Sequence, residues 1–248
     1  MNEIDVKGRT AVITGASQGL GAGLAMDFLD RGLQLGLCAR REPAVAPSES
    51  VLSQRVDVRD EAAITAFAKQ VEERFENVDL WINNAGVLDP IGPMRDLEVE
   101  AFREHIDTNL LGVFLGTRCY VRHLRKTGRP GVLINVSSGA AWKAYEGWSP
   151  YCASKAAVER FTECVQLEEE GTGLRAYSVA PGVVDTQMQD KIRACSPDLF
   201  PEVDRFRELK EEDAFNSVEF VSRELIKLAF DPEYVATPVA QRLPDEKG

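Results

Sequence analysis

The chain has 248 residues and a formal net charge of −11, and its 44% of hydrophobic residues can fill the core of one or two α/β domains. The acidic balance disfavours nucleic acid and anionic lipid as partners, because the average surface field repels both. No apolar run approaches the ~18 residues that span a bilayer, no secretory signal opens the chain and the five cysteines form no CxxC pair, so we expect a cytoplasmic protein.

Apolar runs alternate with helical patterns along the whole chain. TAVITGA (10–16) and LQLGLCA (33–39) are expected strands, and the segment between them places Leu20, Leu24 and Phe28 at helical spacing. Further strands are predicted in VDLWINNAG, GVLINVSS and GLRAYSVAPG. Such a βαβ succession predicts a doubly wound parallel sheet with helices on both faces.

Three segments depart from this alternation. REPAVAPSES (41–50) stands where a helix would be expected, so we predict a loop at the edge of a cofactor site. Residues 187–213 interrupt the strand pattern with charged and apolar residues, which is typical of a mobile segment covering a substrate pocket. The polar end, 243–248, is expected to be disordered.

The sequence TGASQGLG (14–21) lies between a predicted strand and a predicted helix. Gly15 permits a tight turn, Gly19 lets backbone amides approach a pyrophosphate, and Gly21 lets the helix pack closely on the sheet. The spacing GxxxGxG differs from the common GxGxxG, so a bare glycine-rich turn stays open as an alternative.

The end of the second strand discriminates between the two nicotinamide dinucleotides. An acid there would bind the ribose 2′-hydroxyl of NAD, whereas arginine suits a 2′-phosphate. The residues are Arg40 and Arg41, and a guanidinium can grip phosphate in bidentate fashion. We therefore expect NADP(H), with two solvated arginines as the alternative.

Tyr151 and Lys155, in SPYCASKAAV (149–158), share one face of a predicted helix. A phenol with a pKa near 10 is a poor proton donor at neutral pH. An ammonium at ~4 Å contributes up to ~4 kcal/mol at an effective dielectric of 20, which would lower the phenol pKa by roughly three units. The pair therefore indicates an acid/base centre, although the spacing alone is also compatible with two unrelated side chains.

Six motifs occur in the order and spacing of the short-chain dehydrogenases/reductases, and together they cover essentially the whole chain. They are TGASQGLG, NNAG (83–86), NLLG from Asn109, NVSS ending at Ser138, YCASK, and PGVVDT (181–186). The chain resembles that family. The resemblance implies one Rossmann-type catalytic domain over 1–248, with about seven strands in the order 3-2-1-4-5-6-7.

The resemblance also implies a role for each matching residue. Tyr151 would donate a proton to the substrate carbonyl, and Lys155 would lower its pKa and hold the nicotinamide ribose. Ser138 would hydrogen-bond the substrate oxygen, Asn109 would retain a water that links Lys155 to solvent, and Asp57 would accept from the adenine amino group. Cofactor contacts are expected from Gly15, Ser17, Gln18, Gly19, Leu20, Gly21, Arg40, Arg41, Asp57, Val58, Asn84, Ala85, Gly86, Tyr151, Lys155, Pro181, Gly182, Val184 and Thr186.

No metal is expected, because hydride chemistry needs none and the sequence has no HExxH or Cys/His cluster. His105 and His123 lie on charged helical stretches and are expected to be solvated.

The segments SSGAAWKAYEGWSPYCASKAAVERFTECVQLEEEG and YSVAPGVVDTQMQDKIR, from about residue 138 onward, resemble the sepiapterin reductase and benzil reductase branch of the family. The resemblance implies reduction of one ketone of a vicinal dicarbonyl with NADPH. The end DPEYVATPVAQRLPDEKG does not reproduce the region that anchors the pterin in sepiapterin reductases. Substrate contacts are expected from Ser138, Trp148, Tyr151 and Met188. Trp142, Tyr145, Phe200 and Phe206 would either extend this pocket or belong to the core.

The sequence and the resemblance together predict an NADPH-dependent carbonyl reductase that transfers hydride to a small-molecule ketone, expected to be a bulky vicinal dicarbonyl similar to benzil or sepiapterin. Three alternatives stay open: a redox-sensing regulator that binds NADP(H) without turnover, an alcohol dehydrogenase working in the oxidative direction, and a sugar-nucleotide epimerase. The short chain and the TGxxxGxG spacing disfavour the epimerase. By analogy with the family, helices around 109–125 and 152–170 would pair subunits into a homodimer or homotetramer.

Overall fold

A seven-stranded parallel sheet runs through the computed structural model, which describes residues 4–234 and 238–247. The strands in chain order are β1 (Thr10–Thr14), β2 (Gln34–Ala39), β3 (Val51–Arg55), β4 (Leu80–Asn83), β5 (Gly131–Val136), β6 (Leu174–Ala180) and β7 (Ala240–Arg242). They pair in parallel in the order β3-β2-β1-β4-β5-β6-β7, so the predicted fold class and strand order are confirmed. The order reverses between β1 and β4, which is where open α/β sheets bind ligands.

Helices connect the strands and cover both faces of the sheet. They are α1 (Gly19–Asp30), α2 (Glu61–Phe75), α3 (Val99–Ile106), α4 (Gly112–Thr127), α5 (Ser149–Glu168), α6 (Gln187–Arg193), α7 (Val203–Glu211) and α8 (Val218–Phe230). A π-helical turn at 107–111 joins α3 to α4. Local sequence explains several ends: Asp60 caps α2, Ser217 caps α8, and Pro150 lies in the first turn of α5.

The core has two layers, one on each face of the sheet. Ile13 of β1 packs with α1 and α8, including Leu24 and Phe28 from the apolar stripe predicted for α1. Val12, which points to the opposite face, packs with α2, α4 and α5. Because side chains alternate along a strand, β1 is buried on both faces and its sequence is continuously apolar.

The described part of the carboxyl-terminal segment 243–248, expected to be disordered, is held against the start of α8. The Asn216 side-chain oxygen accepts from the Glu246 N–H at 2.8 Å, and the Ser217 N–H donates to the Glu246 carboxylate at 2.6 Å. The amides at the start of α8 have no acceptor within the helix, and the Glu246 carboxylate accepts a hydrogen bond from one of them. Residue 248 lies outside the described residues. In the described ranges, none of the helices is long and apolar enough to cross a bilayer.

Candidate active site

A groove of about 1060 Å³ opens at the carboxyl ends of β1, β4, β5 and β6. With the exception of Asn109, every residue predicted to belong to the site lines it, from the glycine turn to the Tyr151 and Lys155 pair. This meeting follows from topology, because parallel strands end at the same edge of the sheet.

The glycine turn interlocks with the NNAG segment. Gly15 has φ +72°, and a Cβ there would lie 2.7 Å from the Ala85 Cα. The Asn84 side-chain amide donates to the Thr14 carbonyl at 2.9 Å. Gln18 precedes α1 without capping it through its side chain, so first-turn amides remain available to an anion at the helix amino terminus. This cradle fits the pyrophosphate of a dinucleotide.

The far end of the groove carries several cations. Arg40 and Arg41 are exposed beside the glycine turn, and Arg41 donates to the side-chain oxygen of Gln18. Arg59, which the sequence analysis missed, binds the Asp57 carboxylate at 2.6 Å and holds the Asp57 pKa below its usual value. Asp57 therefore already accepts hydrogen bonds from a guanidinium at the place where an adenine acceptor was expected.

The predicted catalytic residues meet at the other end of the groove. Tyr151 lies in the first turn of α5 and Lys155 one turn later, and both are buried. The Lys155 ammonium donates to the Val136 carbonyl at 2.8 Å and lies 5.7 Å from the centre of the Tyr151 ring. Ser138 follows β5 in the same wall of the groove.

Burial dominates the protonation of this pair. It raises the pKa of Tyr151 above its ordinary value of 10, while a hydrogen bond with Ser138 acts in the opposite direction. It lowers the pKa of Lys155 to about 8. The expected net lowering of the phenol pKa by Lys155 is therefore wrong for this structure, because the sequence argument left out the cost of placing a phenolate in a desolvated site.

Asn109 lies in the π-helical turn and is completely buried. Its side-chain oxygen accepts from the Val87 N–H at 2.8 Å, and its side-chain amide donates to the Val87 carbonyl at 2.8 Å. These two bonds fix the orientation of the amide and join the turn to the loop after β4.

Both histidines are buried, contrary to the expectation that they are solvated. His105 contacts Ser154 and the Asp89 carbonyl beside the catalytic pair. His123 contacts the Val78 N–H and the Glu72 carboxylate on the other side of the protein core. The charged neighbours of the two histidines in the sequence led to the wrong prediction that they are solvated. The four-residue spacing from His105 to Asn109, which puts both on one helix face, was the signal that could have indicated burial at the site. Within the ranges that the structure describes, no three His, Cys, Asp or Glu side chains gather as metal ligands.

Residues 181–186 line the groove opposite Ser138. Gly182 has φ +81°, and Asn216 donates to the Pro181 carbonyl at 2.9 Å and to the Pro244 carbonyl at 3.0 Å. Asn216 belongs to none of the sequence motifs, yet it ties this loop to the carboxyl-terminal segment.

An aromatic cluster joins the segment 187–213, which is predicted to cover the substrate pocket, to α5. Trp148 stacks on Phe200 with ring centres 4.4 Å apart and meets Tyr151 edge-on at 5.7 Å. Phe200 and Phe206 are buried within this cluster, whereas Tyr145 and Met188 are half-buried along the groove. The core interpretation therefore fits Phe200 and Phe206, and the pocket interpretation fits Tyr145 and Met188.

The chain is similar to known dehydrogenases and reductases along most of its length. The family model for short chain dehydrogenases matches residues 9–196. A benzil reductase ((S)-benzoin forming) of Bacillus cereus is 33% identical over 239 residues, which cover 91% of this chain and 96% of that protein. A benzil reductase ((S)-benzoin forming) of Bacillus subtilis (strain 168) is 30% identical over 223 residues, covering 88% and 91%. The solved structure of the KRED1-Pglu enzyme matches with a TM-score of 0.80 at 30% identity, covering 95% of this chain and 100% of that one.

Proposed function

The chain belongs to the short chain dehydrogenase family, as its motifs predicted, and on that basis we propose that it is an NADPH-dependent carbonyl reductase acting on a bulky vicinal dicarbonyl. One observation carries the proposal. Ser138, Tyr151 and Lys155 line one end of a groove whose other end is a glycine turn with uncapped helix amides. The Ser138 and Tyr151 hydroxyls, which can donate to a carbonyl oxygen, and the glycine turn, which fits a dinucleotide, thus lie in one continuous groove.

The bound nicotinamide supplies the hydride. Ser138 and Tyr151 hold the substrate oxygen through their hydroxyls, and Tyr151 gives it a proton as negative charge develops. The raised pKa keeps this phenol protonated at neutral pH, which is the form that reduction requires. With a pKa of about 8, Lys155 is mostly charged at pH 7 and stabilises the phenolate that remains.

Preference for NADPH rests on Arg40 and Arg41, which present two exposed guanidinium groups at the end of β2. The expected cofactor contacts all lie along the groove, which supports their assignment. The aromatic wall formed by Tyr145 and Trp148, together with the similarity to benzil reductases, favours an aryl diketone over a small polar ketone.

A homodimer or homotetramer formed through α4 and α5 is part of the proposal. Leu111 and Phe114, at the start of α4, and Leu167, at the end of α5, are exposed apolar side chains on the two helices expected to pair. All five cysteines are unpaired, which favours a reducing, cytoplasmic setting.

The direct test is NADPH oxidation measured against benzil, other α-diketones, quinones and sepiapterin, with NADH in parallel. We expect Tyr151→Phe to lose at least ~100-fold in kcat and to keep its affinity for NADPH, because only the proton donor is removed. Tyr145→Phe removes a hydroxyl from a second tyrosine of the same groove but keeps the aromatic ring of the proposed substrate wall, so it is the matched control and should keep kcat within about threefold.

Other outcomes would assign another function. A wild type that binds NADPH but reduces none of the ketones would favour the regulator. Faster turnover of benzoin with NADP⁺ than of benzil with NADPH would favour the oxidative enzyme. Tightly bound oxidised cofactor in the purified protein would favour an epimerase.

A further inference from the structure

One buried imidazole joins the segments that carry the predicted catalytic residues. His105, in α3, is only 1% exposed. Its Nδ1 lies 2.6 Å from the Asp89 carbonyl in the loop after β4. Its Nε2 lies 2.9 Å from Ser154 Oγ in α5 and 3.1 Å from Asn109 Nδ2 in the π-helical turn. Ser154 directly precedes Lys155, so three elements of the site meet at this ring.

The partners determine the tautomer of His105. A carbonyl oxygen only accepts, so the proton at Nδ1 is the one shared with Asp89. Because Val87 fixes the Asn109 amide, an Asn109 N–H points at Nε2 and favours the form in which Nε2 accepts. The Pro150 carbonyl also acts on the ring and favours a proton there, but its effect is smaller than that of burial. The neutral ring protonated at Nδ1 satisfies both contacts, whereas an imidazolium would bring an N–H against the N–H of Asn109.

The charged and titratable groups around the ring favour this neutral form. From α5, the Lys155 ammonium faces the ring, and Tyr151 meets it edge-on with centres 6.2 Å apart. From the loop after β4 comes Asp89, whose carboxylate is paired with Lys191 of α6. Burial, and then the Lys155 charge, lower the pKa of His105 below 6.5, although the Asp89 carbonyl and carboxylate oppose them.

We propose that His105 is a positioning residue, which as a neutral imidazole fixes Asn109 and Ser154 and thereby the placement of Tyr151 and Lys155. A proton on this ring breaks the Asn109 contact and places a second positive charge beside Lys155. Turnover therefore falls as the ring is protonated at acidic pH. The inference rests on the proposed reductase function and adds a residue that the sequence motifs do not contain.

The protein provides a matched control in His123, which is 4% exposed. Burial lowers its pKa as well, but its partners are the Val78 N–H and the Glu72 carboxylate. A substitution there perturbs a buried histidine without touching α5. General effects of losing a buried imidazole are thus separated from effects at the site.

The first experiment compares kcat and KM between pH 5 and 8 for wild type, His105→Gln, His105→Phe and His123→Gln. Glutamine retains an acceptor near the Nε2 position and does not titrate, so His105→Gln should keep kcat at pH 7.5 within about threefold and lose the acid decline. His105→Phe should lose about tenfold or more in kcat with the KM for NADPH within about twofold. His123→Gln should keep the acid decline.

The second experiment determines the tautomer and the protonation state of the His105 imidazole and does not depend on turnover. These are the only two histidines of the sequence, so nitrogen-15 NMR of the protein without cofactor shows two imidazoles, and His105→Gln assigns them. We expect His105 to carry its proton on Nδ1 at pH 7 and to titrate below the ordinary imidazole pKa, since burial lowers the pKa of this ring. An Nε2–H tautomer, or titration at or above the ordinary pKa of about 6.5, would overturn the proposal.

The two hypotheses fail in different ways. An unchanged acid decline in His105→Gln, with active wild-type enzyme, refutes the role of His105 and leaves the reductase function standing. A wild type inert toward every ketone removes the proposed function and, with it, the positioning role.

Discussion

Replacing Lys155 with methionine should stabilise the protein at neutral pH while abolishing its activity. Burial lowers the pKa of Lys155 from the usual 10.5 to about 8, and that difference corresponds to about 3 kcal/mol of destabilisation while the group is charged in both states. Methionine keeps an unbranched apolar chain and loses the hydrogen bond to the Val136 carbonyl, worth about 1.5–2 kcal/mol for a charged donor. The net expectation is about 1–2 kcal/mol of added stability at pH 7, or roughly 2–8 °C in Tm.

The dependence on pH makes this prediction specific. Between pH 8 and 10.5 the unfolded chain binds more protons at Lys155 than the folded protein does, so wild-type stability rises with pH across that window. From pH 7 to 10 this gain amounts to about 2.5 kcal/mol, and Lys155→Met lacks it. The variant should therefore be the more stable protein at pH 7 and the less stable one at pH 10.

Urea unfolding followed by tryptophan fluorescence at both pH values measures the crossover, because other titrating groups cancel in the difference. Lys143→Met is the control, since Lys143 lines the same groove with its side chain 55% exposed. It should show no crossover. A Lys155→Met variant that is less stable at pH 7, or whose difference from wild type is the same at both pH values, would refute the assigned cost of burial.

Three further outcomes are expected at the groove. Replacing both Arg40 and Arg41 with glutamine should raise the KM for NADPH by at least ~10-fold and change that for NADH less than about threefold, as measured by initial rates. Gly15→Ala should abolish dinucleotide binding in calorimetry, because a Cβ at this position would lie 2.7 Å from the backbone of the NNAG segment. The control is Gly171→Ala, which has a similar positive φ but open space around it, and this variant should bind the dinucleotide normally. Asn216→Ala should weaken NADPH binding by about threefold or more in fluorescence titration, because it removes the hydrogen bonds that connect the loop after β6 to the carboxyl-terminal segment. An unchanged affinity for NADPH would contradict this connection.

The sequence predicts those parts of the site that depend on strand ends. Gly15, Asn84 and Ser138 follow three different strands, and a parallel sheet brings such positions together whatever the details of packing. The location of the groove could therefore be deduced from the alternating apolar runs and the motifs, whereas the strand order was implied by the resemblance to the family.

The parts that sequence reasoning missed depend on long-range packing. His105 carries charged neighbours in the chain but is buried beneath α5, and Asn216 reaches a loop that precedes it by 35 residues. The Tyr151 pKa was misjudged for a related reason, because the ring is buried by tertiary packing, with Trp148 and His105 against it, and the sequence does not show that burial. No pattern in the local sequence predicts contacts between residues that lie so far apart in the chain.

The aromatic cluster links this burial to the direction of the reaction. Phe200 in the segment 187–213 stacks on Trp148, which in turn packs against Tyr151, and all three side chains are buried. Desolvation keeps Tyr151 protonated, and reduction needs a protonated donor whereas oxidation needs the phenolate. Lys155 retains its charge at pH 7, and His105 stays neutral in the same surroundings. The buried site therefore favours the protonation states in which it gives up a proton, which supports the proposed reductase function.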